Sequence, residues 1–190
     1  MAERDNRPSE QPKPEGKVFS ARLVGRVEAS SVKEVIKDID TANEKDDVAS
    51  IRLLINSGGG SIWDGYAVYD HVLASEKPVD IVAAGQCMSM GVAILQAGRE
   101  RLSYPHTVFM VHPSSFSMSG AEIDEVMENA RQYQKDHKYF NEITRKRSGL
   151  TKVEFEAVYK PKKYLTAKEA LKLGSNGLID RIIPHTKRNK

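Results

Sequence analysis

A serine at position 89 has the surroundings that best suit covalent chemistry. Ser89 lies in GQCMSMG, residues 85–91, between an apolar run at 81–84 and a second apolar segment. This pattern predicts a tight turn from a strand into a helix, where a hydroxyl is held on rigid backbone beside the unpaired N–H groups of the helix start. Such a turn can supply both a nucleophile and an oxyanion hole. The alternative is a small residue that only serves the packing of helix on sheet.

Two more motifs carry residues that would complement such a serine. The segment at 49–56 is almost continuously apolar, which predicts a strand covered on both faces, and it ends in the glycine-rich SGGGS, 57–61. Glycines let the backbone approach a ligand closely, but the Lys-Ser/Thr ending of a P-loop and GxGxxG spacing are both absent. A further strand, predicted for TVFMVH, ends at His112. Taken singly, the glycines could form a plain connection and His112 could be a structural histidine.

The order of these motifs predicts a serine hydrolase site. Strands alternate with helices from Lys17 to His112, which indicates an α/β domain with a mostly parallel sheet. The carboxyl ends of parallel strands lie along one edge of a sheet, so the glycine turn, Ser89 and His112 would meet there. Serine hydrolysis needs a hydroxyl, an imidazole that takes its proton and N–H donors for the oxyanion, and this edge would hold all three.

Capping signals and helical spacing place the helices around this sheet. Helix starts are predicted at Ser31, Thr151 and Thr166, because each is followed three residues later by a glutamate. A long helix is predicted for about 121–147 from the spacing of its apolar residues. Such a helix is too long for one small sheet, so we expect it to protrude and meet a partner chain. A kinked helix that folds back on its own domain is the alternative.

Length and composition favour one globular domain. The chain has 190 residues and a net charge of +3, with scattered basic residues, so nucleic acid is not an expected partner. No apolar run approaches the roughly 18–20 residues of a membrane span, and the start lacks the apolar centre of a signal peptide, so a cytoplasmic location without membrane contact is expected. Cys87 is the one cysteine, which excludes an internal disulfide and a cysteine-rich metal site. Neither a metal nor a cofactor is expected.

Composition also divides the chain into three segments. Residues 1–16 are rich in proline and charge and are expected to form a disordered arm. Residues 17–184 carry the domain, whose last strand is predicted at LIDRIIP, 178–184. Residues 185–190 form a basic tail.

The motifs together resemble the proteolytic subunit of the Clp protease, a serine peptidase family of the crotonase-like superfamily. INSGGGSIWDGYAVYD resembles the family's glycine block, GQCMSMG its nucleophile turn and VFMVHP the strand that ends in its catalytic histidine. The closing KKYLTAKEALKLG and GLIDRI are similar to the segment that follows the family's catalytic acid. The resemblance covers about 17–184 and implies a crotonase-like fold with a protruding handle helix at about 121–147.

The resemblance also implies roles for individual residues. Ser89 would be the nucleophile and His112 the general base, while the backbone N–H groups of Gly60 and Met90 would form the oxyanion hole. The substrate would be a peptide or unfolded protein, paired with the extended PSSFSMSG segment at 113–120. The family assembles as two stacked rings of seven subunits joined through the handle, so a homo-oligomer is expected.

One departure from the family concerns its catalytic aspartate, whose place is taken here by Lys162. A lysine cannot stabilise an imidazolium, and loss of this acid from a triad typically costs about 10⁴-fold in turnover. Glu154 and Glu156 are the nearby candidates for a replacement acid, and Asp180 is a more remote one. A Ser-Lys dyad through Lys162 would leave His112 without a task.

Other departures concern flexibility and partners. Gly58 stands where the family has a proline, which loosens the glycine turn without removing its N–H donors. The arm at 1–16 replaces the family's axial N-terminal segment, which argues against docking of an AAA+ unfoldase. A processing peptidase of a phage or mobile element is a variant that would fit this shortened start, and a bacterial role stays open beside it.

Three functional hypotheses follow. The leading one is a self-assembling serine endopeptidase of the Clp type. The second is a catalytically weak or silent subunit that serves assembly, which Lys162 favours and the retained Ser89 and His112 oppose. The third is a crotonase-type acyl-CoA enzyme, which would use the same N–H groups for a thioester oxyanion and would not need Ser89.

Overall fold

The computed structural model describes residues 16–113, 122–160 and 162–184, and within these ranges the chain forms one seven-stranded sheet flanked by helices. The strands are β1 (Lys17–Val24), β2 (Val48–Ser57), β3 (Val79–Met88), β4 (Arg101–Ser103), β5 (Val108–Val111), β6 (Lys163–Thr166) and β7 (Arg181–Ile182). The helices are α1 (Ala29–Asn43), α2 (Ile62–Ala74), α3 (Met90–Leu95), α4 (Ile123–Ser148), α5 (Lys152–Tyr159) and α6 (Ala167–Leu171).

The sheet is mostly parallel, as the alternation of strands and helices predicts. Its order is β1-β2-β3-β4-β7, with β5 paired to β3 and β6 paired to β5. Every pairing is parallel except that of β5 with β6, which is antiparallel. The α/β class with a mostly parallel sheet is therefore confirmed.

Strand β3 divides its pairing between two neighbours, and this division positions the serine. Its first half pairs with β4 through Ile81 to Ala83, and its second half pairs with β5 through Gln86 to Met88. Gly85 lies between the two halves with φ +64°, a left-handed conformation that glycine adopts without strain. The bend lets β3 continue to Met88, so residue 89 emerges directly from the end of a strand fixed on both sides.

Helix α1 packs on the sheet through one apolar stripe, but it begins earlier than its predicted start. Its buried residues follow helical spacing: Val32, Val35, Ile39 and Ala42. The helix begins at Ala29 with Glu28 as its N-cap, whereas Ser31 was predicted to be the capping residue. The physical reason is a capping box between Glu28 and Ser31. The Ser31 side chain accepts the N–H of Glu28, and the Glu28 side chain accepts the backbone N–H of Ser31 at the N3 position. The helix therefore begins earlier than predicted.

Helix α4 is the long helix predicted at about 121–147, and its buried residues all lie in its second half. Phe140, Thr144 and Ser148 are buried. Asp136 joins α4 to α2, since its carboxylate accepts the indole N–H of Trp63 at 2.8 Å and its carbonyl accepts the hydroxyl of Tyr66 at 2.5 Å. The first half carries exposed apolar side chains; the exposed fraction is 81% for Ile123 and 50% for Met127.

The remaining differences from prediction concern short elements. Strands β4 and β6 were not predicted, because three or four residues give too little alternation to be recognised. Strand β7 has two residues, whereas LIDRIIP predicts a longer strand. The capped starts at Thr151 and Thr166 are confirmed. The predictions for the arm, for most of PSSFSMSG and for the basic tail lie outside the described residues. None of the helices described is long and apolar enough to cross a membrane.

Candidate active site

Ser89 lies at a strained turn between β3 and α3. Its φ of +50° and ψ of −123° make it the one non-glycine residue with positive φ in the part of the chain that is described. Such a conformation costs about 1–3 kcal/mol and persists only when the surroundings impose it. Here the N–H of Ser89 donates to the carbonyl of Met110 on β5 at 2.8 Å, which anchors the turn. The predicted strand-to-helix turn therefore exists, and it has the shape of a nucleophile elbow.

The glycine turn lies directly against this elbow. Gly59 has φ +97°, and a Cβ at this position would lie 2.6 Å from the Cβ of Ser89 and 3.1 Å from the backbone nitrogen of Met90. Only glycine fits this contact, for reasons of both conformation and space. The N–H of Gly59 donates to the hydroxyl of Ser57 at 3.0 Å, so this donor is already used.

The N–H groups of Gly60 and Met90 differ from that of Gly59 in their hydrogen bonding. Gly60 is fixed between its neighbours, because the N–H of Val27 donates to the carbonyl of Gly59 and the N–H of Ser61 donates to the carbonyl of Val27. Neither the N–H of Gly60 nor that of Met90, the first residue of α3, has a hydrogen-bond acceptor among the described residues. Two fixed donors beside a serine hydroxyl can stabilise an oxyanion.

His112 follows β5 and faces the serine. Its Nε2 lies 3.1 Å from the Oγ of Ser89, within hydrogen-bonding distance, and its side chain is half-buried. With Nε2 unprotonated, the serine hydroxyl donates to the imidazole, which is the arrangement that deprotonates the hydroxyl during attack. The structure thus brings together the serine and the histidine that were predicted from separate strands.

Lys162 lies opposite His112 across the antiparallel pair. Val111 pairs with Lys163, so the same register places residue 162 beside residue 112 at the end of the ladder. The Lys162 side chain is exposed and its ammonium lies 5.2 Å from the ring centroid of Tyr164, a cation–π contact on the surface of β6. The residue next to His112 in this register is thus a lysine, and its ammonium group contacts the ring of Tyr164.

The three carboxylates proposed as replacement acids lie elsewhere. Glu154 is the N3 residue of α5, where its carboxylate accepts both the N–H and the hydroxyl of Thr151 at 2.8 Å. The N–H bond from Thr151 is the main cause that lowers the Glu154 pKa. Asp180 accepts the N–H and guanidinium of the buried Arg101. Glu156 is exposed on α5. Across residues 16–113, 122–160 and 162–184, no carboxylate oxygen hydrogen bonds to His112.

A cavity of about 230 Å³ opens beside Ser89 and His112, and part of its wall was not foreseen. Besides the glycine turn, Met90 and Ile62, its lining includes Arg26 after β1 and three residues of α4: Tyr133, His137 and Phe140. The three α4 residues have i, i+4, i+7 spacing, which is the signal that could have identified His137. Tyr133 and Phe140 belong to the apolar spacing that predicts α4, and His137 lies between them on the same face.

His137 is held within an aromatic cluster. Its ring stacks on Phe140 with a centroid distance of 5.4 Å and lies 5.6 Å from the ring of Tyr159 on α5. Its Nδ1 lies 3.1 Å from the hydroxyl of Tyr159 and 3.2 Å from the amide nitrogen of Asn141. Burial, and secondarily the charge of nearby His112, lower the His137 pKa from 6.5 to about 4, so the ring is neutral near pH 7.

Comparison with known protein families gives one clear relationship. A family model described as Clp protease matches residues 15–186, which is most of the chain and includes the glycine turn, Ser89, His112 and α4.

Proposed function

The chain belongs to the Clp protease family, and from this premise we propose that it is a serine endopeptidase that hydrolyses peptide bonds through an acyl-enzyme at Ser89. The observation that carries the proposal is the 3.1 Å distance between the Oγ of Ser89 and the Nε2 of His112 at a strained turn. A strained non-glycine residue costs stability, and the same strain presents a nucleophile.

The proposed reaction has two stages. In the first, the Oγ of Ser89 attacks the peptide carbonyl carbon while its proton passes to the Nε2 of His112. The N–H groups of Gly60 and Met90 receive the negative charge that develops on the carbonyl oxygen. The C–N bond then breaks, and His112 returns the proton to the departing amine. In the second stage, water attacks the ester, His112 takes its proton and gives it to Ser89, and the acid product leaves.

The expected turnover rate is low, because Lys162 stands where the resemblance places the family's catalytic aspartate. An aspartate normally orients the histidine and stabilises its protonated form, and its loss costs about 10⁴-fold. Lys162 cannot supply either effect, because its charge opposes that of an imidazolium. We therefore propose a slow enzyme, whose rate rises if a carboxylate from a neighbouring subunit reaches His112.

Assembly is the second part of the proposal. Clp proteases form rings, and we propose that this chain forms a homo-oligomeric chamber, with two heptamers as the family default. The exposed apolar residues on the first half of α4, Ile123 and Met127, support α4 as the contacting handle. The proposal concerns the chamber alone and does not extend to an AAA+ unfoldase.

Labelling with a fluorophosphonate tests the nucleophile without requiring fast turnover. The assembled wild-type protein should be labelled at Ser89, Ser89→Ala should not be labelled, and His112→Ala should react at least ~10²-fold more slowly, since general-base catalysis contributes about 10²–10⁴-fold. Ser30→Ala, which changes an exposed serine on α1, is the control and should react like the wild type. An assembled wild-type protein that resists labelling would contradict the proposal.

A silent subunit with an assembly role is the second candidate, and Lys162 beside His112 is the observation that favours it. Under this alternative the purified chain would form rings only with an active partner, and Ser89 would remain unlabelled in the mixed ring. Mass measurement of the purified chain, before and after addition of such a partner, distinguishes the two candidates.

A further inference from the structure

The cavity beside Ser89 contains a neutral imidazole whose tautomer is set by its neighbours. The Nδ1 of His137 faces two groups that carry hydrogens, the hydroxyl of Tyr159 at 3.1 Å and the amide nitrogen of Asn141 at 3.2 Å. We assign Nδ1 as the acceptor of both bonds. In a neutral imidazole the proton then resides on Nε2.

The orientation of the Asn141 amide supports this assignment. Its oxygen is one of two buried side-chain atoms without a hydrogen-bond partner in the described part of the chain. Rotation of the amide by 180° would bring the oxygen to Nδ1, but it would place the NH₂ group, with two donors, in the position that lacks partners. A buried unpaired donor is less tolerable than an under-satisfied carbonyl, so the orientation with nitrogen towards His137 is preferred.

The other edge of the ring is left for the cavity. His137 lines the same cavity as Ser89 and His112, and no described residue hydrogen bonds to its Nε2. Stacking on Phe140 and the two bonds to Nδ1 hold the ring in place. A fixed N–H donor therefore adjoins the space next to the nucleophile, where the side chain of the residue that supplies the attacked carbonyl would lie.

We propose that His137 makes this cavity selective for a substrate residue with an uncharged side-chain amide, glutamine above all, at the bond that Ser89 cleaves. The Nε2–H donates to the side-chain carbonyl oxygen of that residue. This inference rests on the proposed peptidase function and adds the substrate class to it.

Competing side chains fit less well. A methionine has nearly the same length, but its thioether is a weak acceptor and would leave the Nε2–H without a good partner. A glutamate has the same shape, but its charge would lose solvation beside a neutral ring, which offers no compensating charge. Lysine and arginine carry only donors.

Arg26 is the one arginine or lysine on the described cavity lining, and its charge does not reverse this order of preference among side chains. Its side chain is 73% exposed and lies 4.0 Å from the carboxylate of Glu28, so water and that carboxylate screen it.

The test compares three peptides that differ only in the residue before the scissile bond: glutamine, glutamate or methionine. For the assembled wild-type protein, kcat/KM should be about 10–100-fold higher for glutamine than for either of the others, the range expected when a buried donor gains or loses its partner. Equal values, or a preference for methionine, would overturn the inference.

Variants assign the selectivity to His137. His137→Leu should lose the preference for glutamine by about 10-fold or more relative to methionine. Tyr159→Phe removes one bond to Nδ1 and should lose part of the preference. His71→Leu is the matched control, because His71 pairs with Asp40 on α1 and lies outside the cavity lining. If His137→Leu slows all three peptides by the same factor, His137 acts on His112 and not on the substrate, and the inference is wrong.

A binding measurement separates this inference from the proposed function. Ser89→Ala keeps the cavity but cannot hydrolyse, so its affinity can be measured for product peptides that end in glutamine, glutamate or methionine. Binding that is about 10-fold tighter for glutamine supports the inference even if fluorophosphonate labelling fails. Equal binding overturns it even if labelling succeeds.

Discussion

The two sides of the cavity are built in different ways. On the side of the nucleophile, the glycine turn, the Ser89 elbow and the two N–H donors are backbone features of adjacent elements. On the side behind His112, the structure uses side chains from α4, α5 and β6, which are distant in the sequence. The first side contains the serine and the N–H donors of the proposed chemistry, whereas on the second side Lys162 adjoins His112 and His137 lines the cavity. On the proposed function, rigid backbone would provide the reaction, and long-range packing would determine its rate and its substrate.

The largest expected effect on labelling comes from a substitution in the glycine turn, on the side of the nucleophile. Gly59→Ala introduces a Cβ 2.6 Å from that of Ser89 at a φ of +97°, so the elbow and the glycine turn must separate. We expect labelling to fall by more than about 10³-fold and the free energy of unfolding by at least about 2 kcal/mol.

Gly58→Ala is the control for Gly59→Ala. A Cβ at residue 58 would meet only the Gln86 side chain, at 3.8 Å, and the backbone there does not have positive φ. Labelling should stay within about twofold, with stability unchanged or raised by about 0.4–1 kcal/mol. Equal losses in the two variants would show that the elbow does not depend on this contact.

Lys162→Asp would sharpen the comparison by placing a carboxylate opposite His112. Because residue 162 adjoins residue 112 in the β5–β6 register, we expect the labelling rate of Ser89 to rise by about 10–10³-fold. Lys163→Asp, one residue along the same strand and therefore on its opposite face, is the control. A labelling rate that stays at the wild-type value in Lys162→Asp, or that rises equally in Lys163→Asp, would mean that a carboxylate at 162 does not act on the imidazole.

The lowered pKa of His137 predicts that the free energy of unfolding depends on pH. Its pKa is about 4 in the native state against 6.5 for an exposed histidine, so between these values the unfolded chain binds the proton more readily. The stabilisation is complete above pH 6.5 and is lost as pH falls towards 4. Since the ring is partly exposed, we expect a contribution of only about 1 kcal/mol.

Urea unfolding at pH 7.5 and pH 5 measures this contribution. The wild-type protein should lose about 1 kcal/mol more than His137→Leu on acidification. An identical pH dependence in wild type and His137→Leu would mean that the cavity accepts the charged ring.

The smallest effect concerns Glu154, one of the carboxylates considered as a replacement acid. In the structure it accepts the N–H of Thr151 at the start of α5, so Glu154→Ala should lower the free energy of unfolding slightly and leave labelling of Ser89 unchanged within about twofold. Glu156→Ala, an exposed neighbour, is the matched control for stability. A labelling rate that fell at least tenfold in Glu154→Ala alone would restore Glu154 as the acid.

The contrast between the two sides also explains what could be predicted from the sequence. The elbow at Ser89 and the glycine turn are local patterns, because strand, turn and helix start follow one another within a few residues. The caps at Thr151 and Thr166 are local in the same sense. Ser31 was assigned the wrong role because a serine can pair with a glutamate three residues before it or three residues after it, and in the structure it pairs with Glu28.

The side of the cavity behind His112 could not be predicted from local sequence patterns. His137 fits the apolar face of α4, but only the packing of α5 shows that Tyr159 holds its Nδ1. Likewise, the resemblance singles out Lys162 as a predicted departure from the family, while the contact of its side chain with Tyr164 depends on a strand too short to be predicted. Contacts between distant segments decide both cases.

The strain at Ser89 has a consequence for the whole chain. A positive φ at a residue with a Cβ lowers the folding stability of the entire domain, and a glycine at this position would remove the cost. A subunit that serves only assembly gains nothing from such a turn, and random substitution would be free to relax it. The strained serine therefore lowers the free energy of unfolding, and a catalytic hydroxyl gives a reason to keep it. This favours the enzyme over the silent subunit.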